Sequence, residues 1–363
     1  MKKERILLTD CQKIKRILVT RMQGLGDAVC FIPTLRILRE SFPQAEITVL
    51  SGRLPAKELF EVCPFVNKVI FYDVDKERNF FDKLNFIKYL RRQRFDISVA
   101  SSYEVGFALK AFLSGAKYRI GFSQHVCNGT IARDFFSFLN TVSLVSQGNE
   151  NEIDVNMRLL GALGIEGKEC KLDLWVNEQD KLFAGELFRQ HALTDKKVLA
   201  IHPSSNNESR NWPLEKYAQL ITYVLRHYEV KIVLVGSQAH YDLNEKLCAL
   251  VGGGITNIAG KTALSQLMEV LRGCVLFIGN DSGPRHIAVA MGLPAIILFG
   301  PTIYKQVRPY TENCIGISKH LSCSPCDQHN CACARCMQLI TVQEVIVAAE
   351  YFLDKIGIKK IDS

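Results

Sequence analysis

Residues 275–302 read VLFIGNDSGPRHIAVAMGLPAIILFGPT, and their order of strand, tight turn, short helix, strand and tight turn decides the fold class. Val275–Gly279 is a continuous apolar run, too short for a buried helix and closed by turn residues, so it reads as a strand covered on both faces. Asn280-Asp281-Ser282-Gly283-Pro284 stops that strand and starts a helix. Asp281 and Ser282 are N-cap types, and Pro284 fits a first helical turn, where its missing N–H costs nothing. Ile287, Ala288, Ala290 and Met291 give the helix a compact apolar face, and Gly292 with Pro294 ends it. Ala295–Phe299 is the next strand, closed by Gly300-Pro301. The free N–H groups and dipole of the helix start favour an anion, with phosphate the obvious candidate. The plainer alternative is that Asp281 and Ser282 only cap a helix.

Outward from this stretch the same rhythm recurs. Upstream it reads Arg16–Arg21 as a strand, Gly24-Leu25-Gly26-Asp27 turning into a helix to about Ser41, strands at Glu46–Leu50 and Lys68–Phe71, and a helix over Phe81–Arg92. Asp96–Ala100, a helix near Val105–Leu113 and Tyr118–Gly121 follow. From Val142 to Asp195 the pattern loosens, apart from a helical segment near Glu178–His191. It resumes with Val198–His202, helix Leu214–Arg226, Lys231–Gly236, and helices over Tyr241–Leu250 and Ala263–Arg272. Repeated βα units predict parallel, doubly wound sheets, and two in tandem predict a cleft facing the carboxyl ends of their strands. The expected division is an N-terminal domain over 1–175, a C-terminal domain over 176–341, and a last helix within 342–363.

A chain of 363 residues suits two domains, and 48% hydrophobic with 23% charged residues is a globular composition. No apolar run approaches a membrane span, and charges interrupt the apolar runs of the first 21 residues, so no signal peptide and a cytoplasmic location are expected. Thirteen cysteines, an odd number spread along a long chain, argue against a disulfide scaffold. The net charge of +8 points to anionic partners.

Two further turns sit at strand ends. Gly24-Leu25-Gly26-Asp27 lacks the third glycine and the acidic residue closing strand two that a dinucleotide fingerprint needs, so an NAD site is rejected. Asp27 there is either a favourable first-turn carboxylate or a general base beneath a glycine hinge. His202-Pro203-Ser204-Ser205-Asn206-Asn207-Glu208-Ser209-Arg210-Asn211-Trp212-Pro213 combines hydroxyl and amide donors with an arginine. That set can hold phosphate oxygens and neutralise a diphosphate; the alternative is a solvated loop whose Trp212 packs in the core.

Arg21 with Gly24-Leu25-Gly26-Asp27, Pro33 and Leu35; His202-Pro203 through Arg210-Asn211-Trp212-Pro213; and Gly279-Asn280-Asp281-Ser282-Gly283-Pro284, His286, Ala288 and Phe299-Gly300-Pro301-Thr302 occur in one order over nearly the whole chain. Together they resemble glycosyltransferase family 9, the bacterial ADP-heptose:lipopolysaccharide heptosyltransferases. The resemblance implies a GT-B architecture of two Rossmann-like domains, acceptor-binding then nucleotide-sugar-binding, with the last helix, Val342–Lys355, crossing back to the first. It implies an inverting transfer of a sugar, heptose from ADP-heptose, to a lipopolysaccharide core acceptor, with no catalytic metal. Asp27 matches the proposed base, with Gly24 and Gly26 in the acceptor-side loop. On the donor side Arg210 matches a basic residue at the diphosphate, and Ser204 and Ser205 match hydroxyls at the phosphates. Asp281 matches a carboxylate near the donor sugar, while Ser282 and Gly283 present the helix start. Lys261 and Thr262 fall on the nucleoside side, and His286 could reach the phosphates or simply pack. Gln238 stands where the family often carries a ribose-binding glutamate, which leaves the donor nucleotide open. A transferase of the same family using another nucleotide sugar, a nucleotide-sugar epimerase of similar fold and a non-catalytic nucleotide-binding protein are the competing readings.

Two segments stand apart. Cys323, Cys326, Cys331 and Cys336, with Cys333, Cys314, His320 and His329 nearby, could hold a structural zinc ion, although the second pair is closer than in zinc ribbons. The alternative is a reduced, cysteine-rich loop. Lys76–Arg94 interleaves seven basic residues with aromatic and aliphatic ones. A solvated helix face explains it, and so does docking to anionic lipid headgroups on the cytoplasmic face of the inner membrane, where an anionic glycolipid acceptor would lie. No nucleic-acid motif accompanies the charge.

Overall fold

A computed structural model describes residues 13–101, 107–127, 130–133, 135–146, 148, 150–166, 170–326, 328, 331 and 333–361. The residues read for a signal peptide before 13, the expected helix start at Val105, and His329 lie outside them. The chain divides into two compact units, Met1–Leu172 and Asp173–Ser363.

The first unit runs β1 (Arg16–Arg21), α1 (Leu25–Ser41), β2 (Glu46–Ser51), α2 (Leu54–Glu61), β3 (Lys68–Phe71), α3 (Phe80–Arg92), β4 (Ile97–Ala100), α4 (Phe107–Leu113), β5 (Tyr118–Cys127), β6 (Thr130–Arg133), β7 (Val142–Ser146) and α5 (Glu152–Gly161). Its sheet has the order β3-β2-β1-β4-β5-β6, with β7 also pairing β5. Every pairing is parallel except that of β5 with β6. β5 is thus longer than its apolar start suggested. The region read as loose contains β7 and α5, both too polar along one side to stand out as apolar runs. α5 carries Ile153, Val155, Leu159 and Leu160 inward and packs against α1.

The second unit runs α6 (Glu178–Gln190), β8 (Val198–His202), α7 (Leu214–His227), β9 (Lys231–Leu234), α8 (Tyr241–Val251), β10 (Ile255–Asn257), α9 (Leu264–Arg272), β11 (Leu276–Asn280), α10 (Gly283–Ala290), β12 (Ala295–Phe299), α11 (Tyr304–Val307), β13 (Cys314–Ser318), α12 (Arg335–Gln338) and α13 (Val342–Lys355). Its sheet is parallel throughout, in the doubly wound order β10-β9-β8-β11-β12-β13. β8, β11 and β12 are buried along their whole length, as strands covered on both faces should be. α7 turns Tyr217, Leu220, Ile221 and Val224 to the core at helical spacing.

The C-terminal helix packs against the core of the second unit. Val345, Ala348, Ala349, Phe352 and Leu353 form one stripe of α13 and join the core that includes α7 and β12. Its start is a full capping box: Thr341 Oγ1 accepts from the Glu344 N–H (3.3 Å) and Glu344 Oε2 accepts from the Thr341 N–H (2.8 Å).

Candidate functional site

In each sheet the order reverses beside the first strand of the unit, and ligands of doubly wound sheets bind at that switch point, beyond the carboxyl ends of the strands. In the second unit the switch lies between β8 and β11, so the loops after them are neighbours. Asn280, the last residue of β11, ties them together from a buried position. Its Nδ2 donates to the Pro203 carbonyl (2.8 Å), and its Oδ1 accepts from the Trp212 N–H (3.2 Å) and the Tyr217 hydroxyl (2.9 Å). Trp212 is a core residue, as the plainer reading of its loop had it, and its indole N–H donates to the Ile340 carbonyl (3.0 Å). The loop itself is not a solvated one, since Ser204, Asn207 and Ser209 are buried.

Asp281 turns its carboxylate inward, not onto the α10 start. Oδ1 accepts from Arg285 Nε (2.5 Å), and Oδ2 accepts from the Thr302 hydroxyl (2.7 Å) and from Arg210 Nη1 (3.3 Å). Burial alone would raise the Asp281 pKa; Arg285, then Arg210, outweigh it and hold the group below its usual range. Asp281 therefore presents Arg210 outward and keeps both its own oxygens engaged. Arg285, 1% exposed and lying over the Phe299 ring, is the functional-site neighbour that the sequence reading missed. The signal was available in its i+4 spacing from Asp281.

Ser282 occupies the N-cap of α10 without capping it; its hydroxyl donates to the Asn280 carbonyl (3.3 Å). The first amides of α10 therefore have no side-chain acceptor from Ser282 and point beyond the strand ends. Among the described residues the buried Ser204 hydroxyl, on the loop after β8, has no hydrogen-bond partner, and nor does Arg285 Nη2. Buried polar groups ordinarily find partners, so both are available to a polar ligand. Ser205 Oγ accepts from the Asn207 N–H (3.2 Å). His286 is half-buried, and burial together with Arg285 keeps its imidazole neutral, well below its usual range.

Gln238, Lys261 and Thr262 sit together on the turns after β9 and β10. The Gly260 N–H donates to the Gly236 carbonyl (2.9 Å), which pins one turn on the other. Gly260 is required here: its φ is +73°, and a Cβ would lie 2.2 Å from Gln238 Oε1. Beside them His202, buried at the end of β8, bonds through Nδ1 to the Val235 carbonyl (2.8 Å), so that nitrogen carries the proton. Burial, with His240 against its ring, pushes its pKa down to about 4. The unfolded chain binds the proton first, near pH 6.5, so stability from neutral His202 is complete above that value and is lost as pH falls toward 4. Between pH 7 and pH 4 the wild type should lose about 3 kcal/mol more than a His202→Asn variant, measured as urea-unfolding midpoints across pH; parallel profiles would refute this.

In the first unit, Gly24 and Gly26 adopt ordinary backbone angles at the start of α1. Gly24 has φ −73°, and Gly26 lies inside the first turn of α1 with no positive φ. Asp27 is bound into that turn by Oδ2, which accepts the Gly24 N–H (3.1 Å), yet its side chain is 42% exposed. Its Oδ1 lies 3.4 Å from Arg21 Nη2.

The cysteine-rich segment is hydrogen-bonded to the loops after β12 and β8. Ser324 Oγ donates to the Gly300 carbonyl (3.1 Å), the Cys326 N–H to the Pro301 carbonyl (3.0 Å), and Ser209 Oγ to the Gln328 carbonyl (2.8 Å). Cys323 faces solvent while Cys336 is buried in the core beside Met337, and Cys331 lies near Cys333 (Sγ···Sγ 3.6 Å). Among the described residues no three His, Cys, Asp or Glu side chains are placed to hold a metal ion, so the expected zinc set of Cys323, Cys326, Cys331 and Cys336 is not assembled. No helix among the described residues is long and apolar enough to cross a membrane. α3 buries only Leu90 and leaves Phe80 and Phe81 exposed with Lys83, Lys88, Arg91 and Arg92.

Comparison with known proteins gives a consistent picture. Residues 83–336 match the model of glycosyltransferase family 9 (heptosyltransferase). The chain is 26% identical over 300 residues to the lipopolysaccharide core heptosyltransferase OpsX of Haemophilus influenzae, covering 82% of each protein. Its fold matches the glycosyltransferase family 9 structure from Veillonella parvula with a TM-score of 0.77 at 22% identity, covering 94% of this chain and 97% of that one. It also matches the Escherichia coli heptosyltransferase WaaC with ADP-2-deoxy-2-fluoro heptose, with a TM-score of 0.69 at 16% identity over 94% of this chain and 100% of that one.

Proposed function

Because this chain belongs to glycosyltransferase family 9, an enzyme family of heptosyltransferases, we propose that it moves heptose from ADP-heptose to the core of lipopolysaccharide, inverting the anomeric carbon without a catalytic metal. The observation that carries this reading is the set Arg210–Asp281–Arg285, with the unpartnered Ser204 hydroxyl and the uncapped start of α10, at the switch point of the second sheet. Two phosphates need cationic and N–H donors on a rigid frame, and Arg210 and the α10 amides supply the charge that a divalent cation gives elsewhere. Ser204, Ser205, Ser282, Gly283 and His286 surround the diphosphate in this account, and Gln238, Lys261 and Thr262 take the nucleoside. Relatives named as lipopolysaccharide heptosyltransferases, and a fold neighbour bound to an ADP-heptose analogue, support ADP-heptose as donor.

In this account Asp27 takes the proton of the acceptor hydroxyl as its oxygen bonds to the anomeric carbon, and the bond from that carbon to the diphosphate breaks on the opposite face. ADP leaves with its new charge balanced by Arg210. The basic face of α3, with Phe80 and Phe81, suits contact with the anionic membrane surface that carries such an acceptor. A thermal-shift panel of ADP-, UDP-, GDP- and CMP-linked sugars tests the donor. The ADP series alone should raise the melting temperature; a response confined to UDP sugars would overturn the reading.

A further inference from the structure

Arg21, at the end of β1, is 1% exposed, so no substrate can reach it. Its Nη1 donates to the Ser101 carbonyl (2.5 Å) beyond β4, and its Nη2 donates to Glu152 Oε1 (2.7 Å) at the start of α5. The same Nη2 lies 3.4 Å from Asp27 Oδ1. One buried cation is thus shared by two carboxylates from two packed helices, and the shorter contact goes to Glu152. Asn156 Nδ2 supports that carboxylate from the next turn of α5 (3.5 Å). Burial by itself would lower the Arg21 pKa, but Glu152, then Asp27, more than offset it, so the guanidinium stays charged. Burial, reinforced by Asp27, raises the Glu152 pKa against the pull of Arg21.

We propose that Glu152 is a positioning residue for Asp27, acting through Arg21. The inference rests on Asp27 being the base. A guanidinium paired with Asp27 alone would hold both its oxygens and resist the arrival of a proton there. Glu152 takes most of that pairing, which leaves Arg21 to orient Oδ1 while the Gly24 N–H fixes Oδ2. The arrangement also carries the cation through the reaction. When the acceptor hydroxyl gives its proton to Asp27, Arg21 loses one counter-charge and keeps the other, so no lone buried cation is created.

Glu152→Gln keeps the shape and removes the charge. With purified protein, ADP-heptose and a heptose-deficient lipopolysaccharide acceptor, its kcat should fall about 10- to 100-fold, the cost of a misplaced reacting group, with donor KM unchanged. Glu152→Asp, which keeps the charge at shorter reach, should fall between it and wild type. A folded Glu152→Gln enzyme with wild-type kcat, or one whose loss lies in donor KM, overturns the inference. Should Glu152→Gln not fold, Glu152→Asp is decisive on its own: reduced kcat at unchanged donor KM supports the role, and wild-type kcat overturns it. Asp27→Asn in parallel separates the two claims. If it transfers at the wild-type rate the base assignment fails; if it is inactive while Glu152→Gln runs at full rate, only the role of Glu152 fails.

Discussion

Asp27→Asn should cut transfer by about 10²- to 10⁴-fold, the usual contribution of a positioned general base, and leave ADP binding as it was. Asparagine keeps the size of the side chain and can still accept the Gly24 N–H through its amide oxygen, so α1 retains its start. What is lost is the capacity to take a proton. The residues proposed to bind the donor lie in the second unit, on loops that do not involve Asp27, so calorimetry with ADP should give the wild-type affinity. Transfer surviving in the variant would remove Asp27 from the mechanism.

Asp281→Ala should cost about 3–5 kcal/mol of stability, the range for removing one partner of a buried ion pair. It strips the counter-charge from Arg285, which is 1% exposed, and the hydrogen bond from Thr302, and it releases Arg210. Arg210→Ala is the informative contrast. Arg210 is 21% exposed at the rim of the same cluster, and its removal leaves the Asp281–Arg285 pair in place. That variant should unfold in urea near the wild-type midpoint yet bind ADP more weakly, whereas Asp281→Ala should lose both. An Asp281→Ala protein unfolding like wild type would show that Arg285 finds its balance elsewhere.

The βα rhythm was legible because strands buried along their length read as apolar runs: Arg16–Arg21, Val198–His202 and Ala295–Phe299 are found with the bounds expected of them, and so is the half-buried edge strand Lys68–Phe71. β10 and β13 were not read, since β10 is three residues long and β13 is half-buried at a sheet edge, where the apolar demand is weak. The bounds of the last helix were legible, and its apolar stripe states that the helix is covered without naming the cover. At the candidate site Asp281 shows what a motif leaves out. An N-cap residue type in sequence became a buried anchor for two arginines, an outcome set by Arg285 one turn later and Thr302 after the next strand. Glu152 was hidden for a different reason. Its pairing with Arg21 spans 131 positions, and nothing local in α5 announces a long-range partner.

The most direct measurement mixes the wild-type protein with ADP-heptose and a heptose-deficient lipopolysaccharide acceptor in the presence of a chelator, following ADP release and acceptor mass together. The account predicts one ADP released for each heptose gained by the acceptor, dependent on that acceptor and insensitive to the chelator. ADP release without acceptor, or heptose transfer abolished by the chelator and restored by a divalent cation, would contradict it.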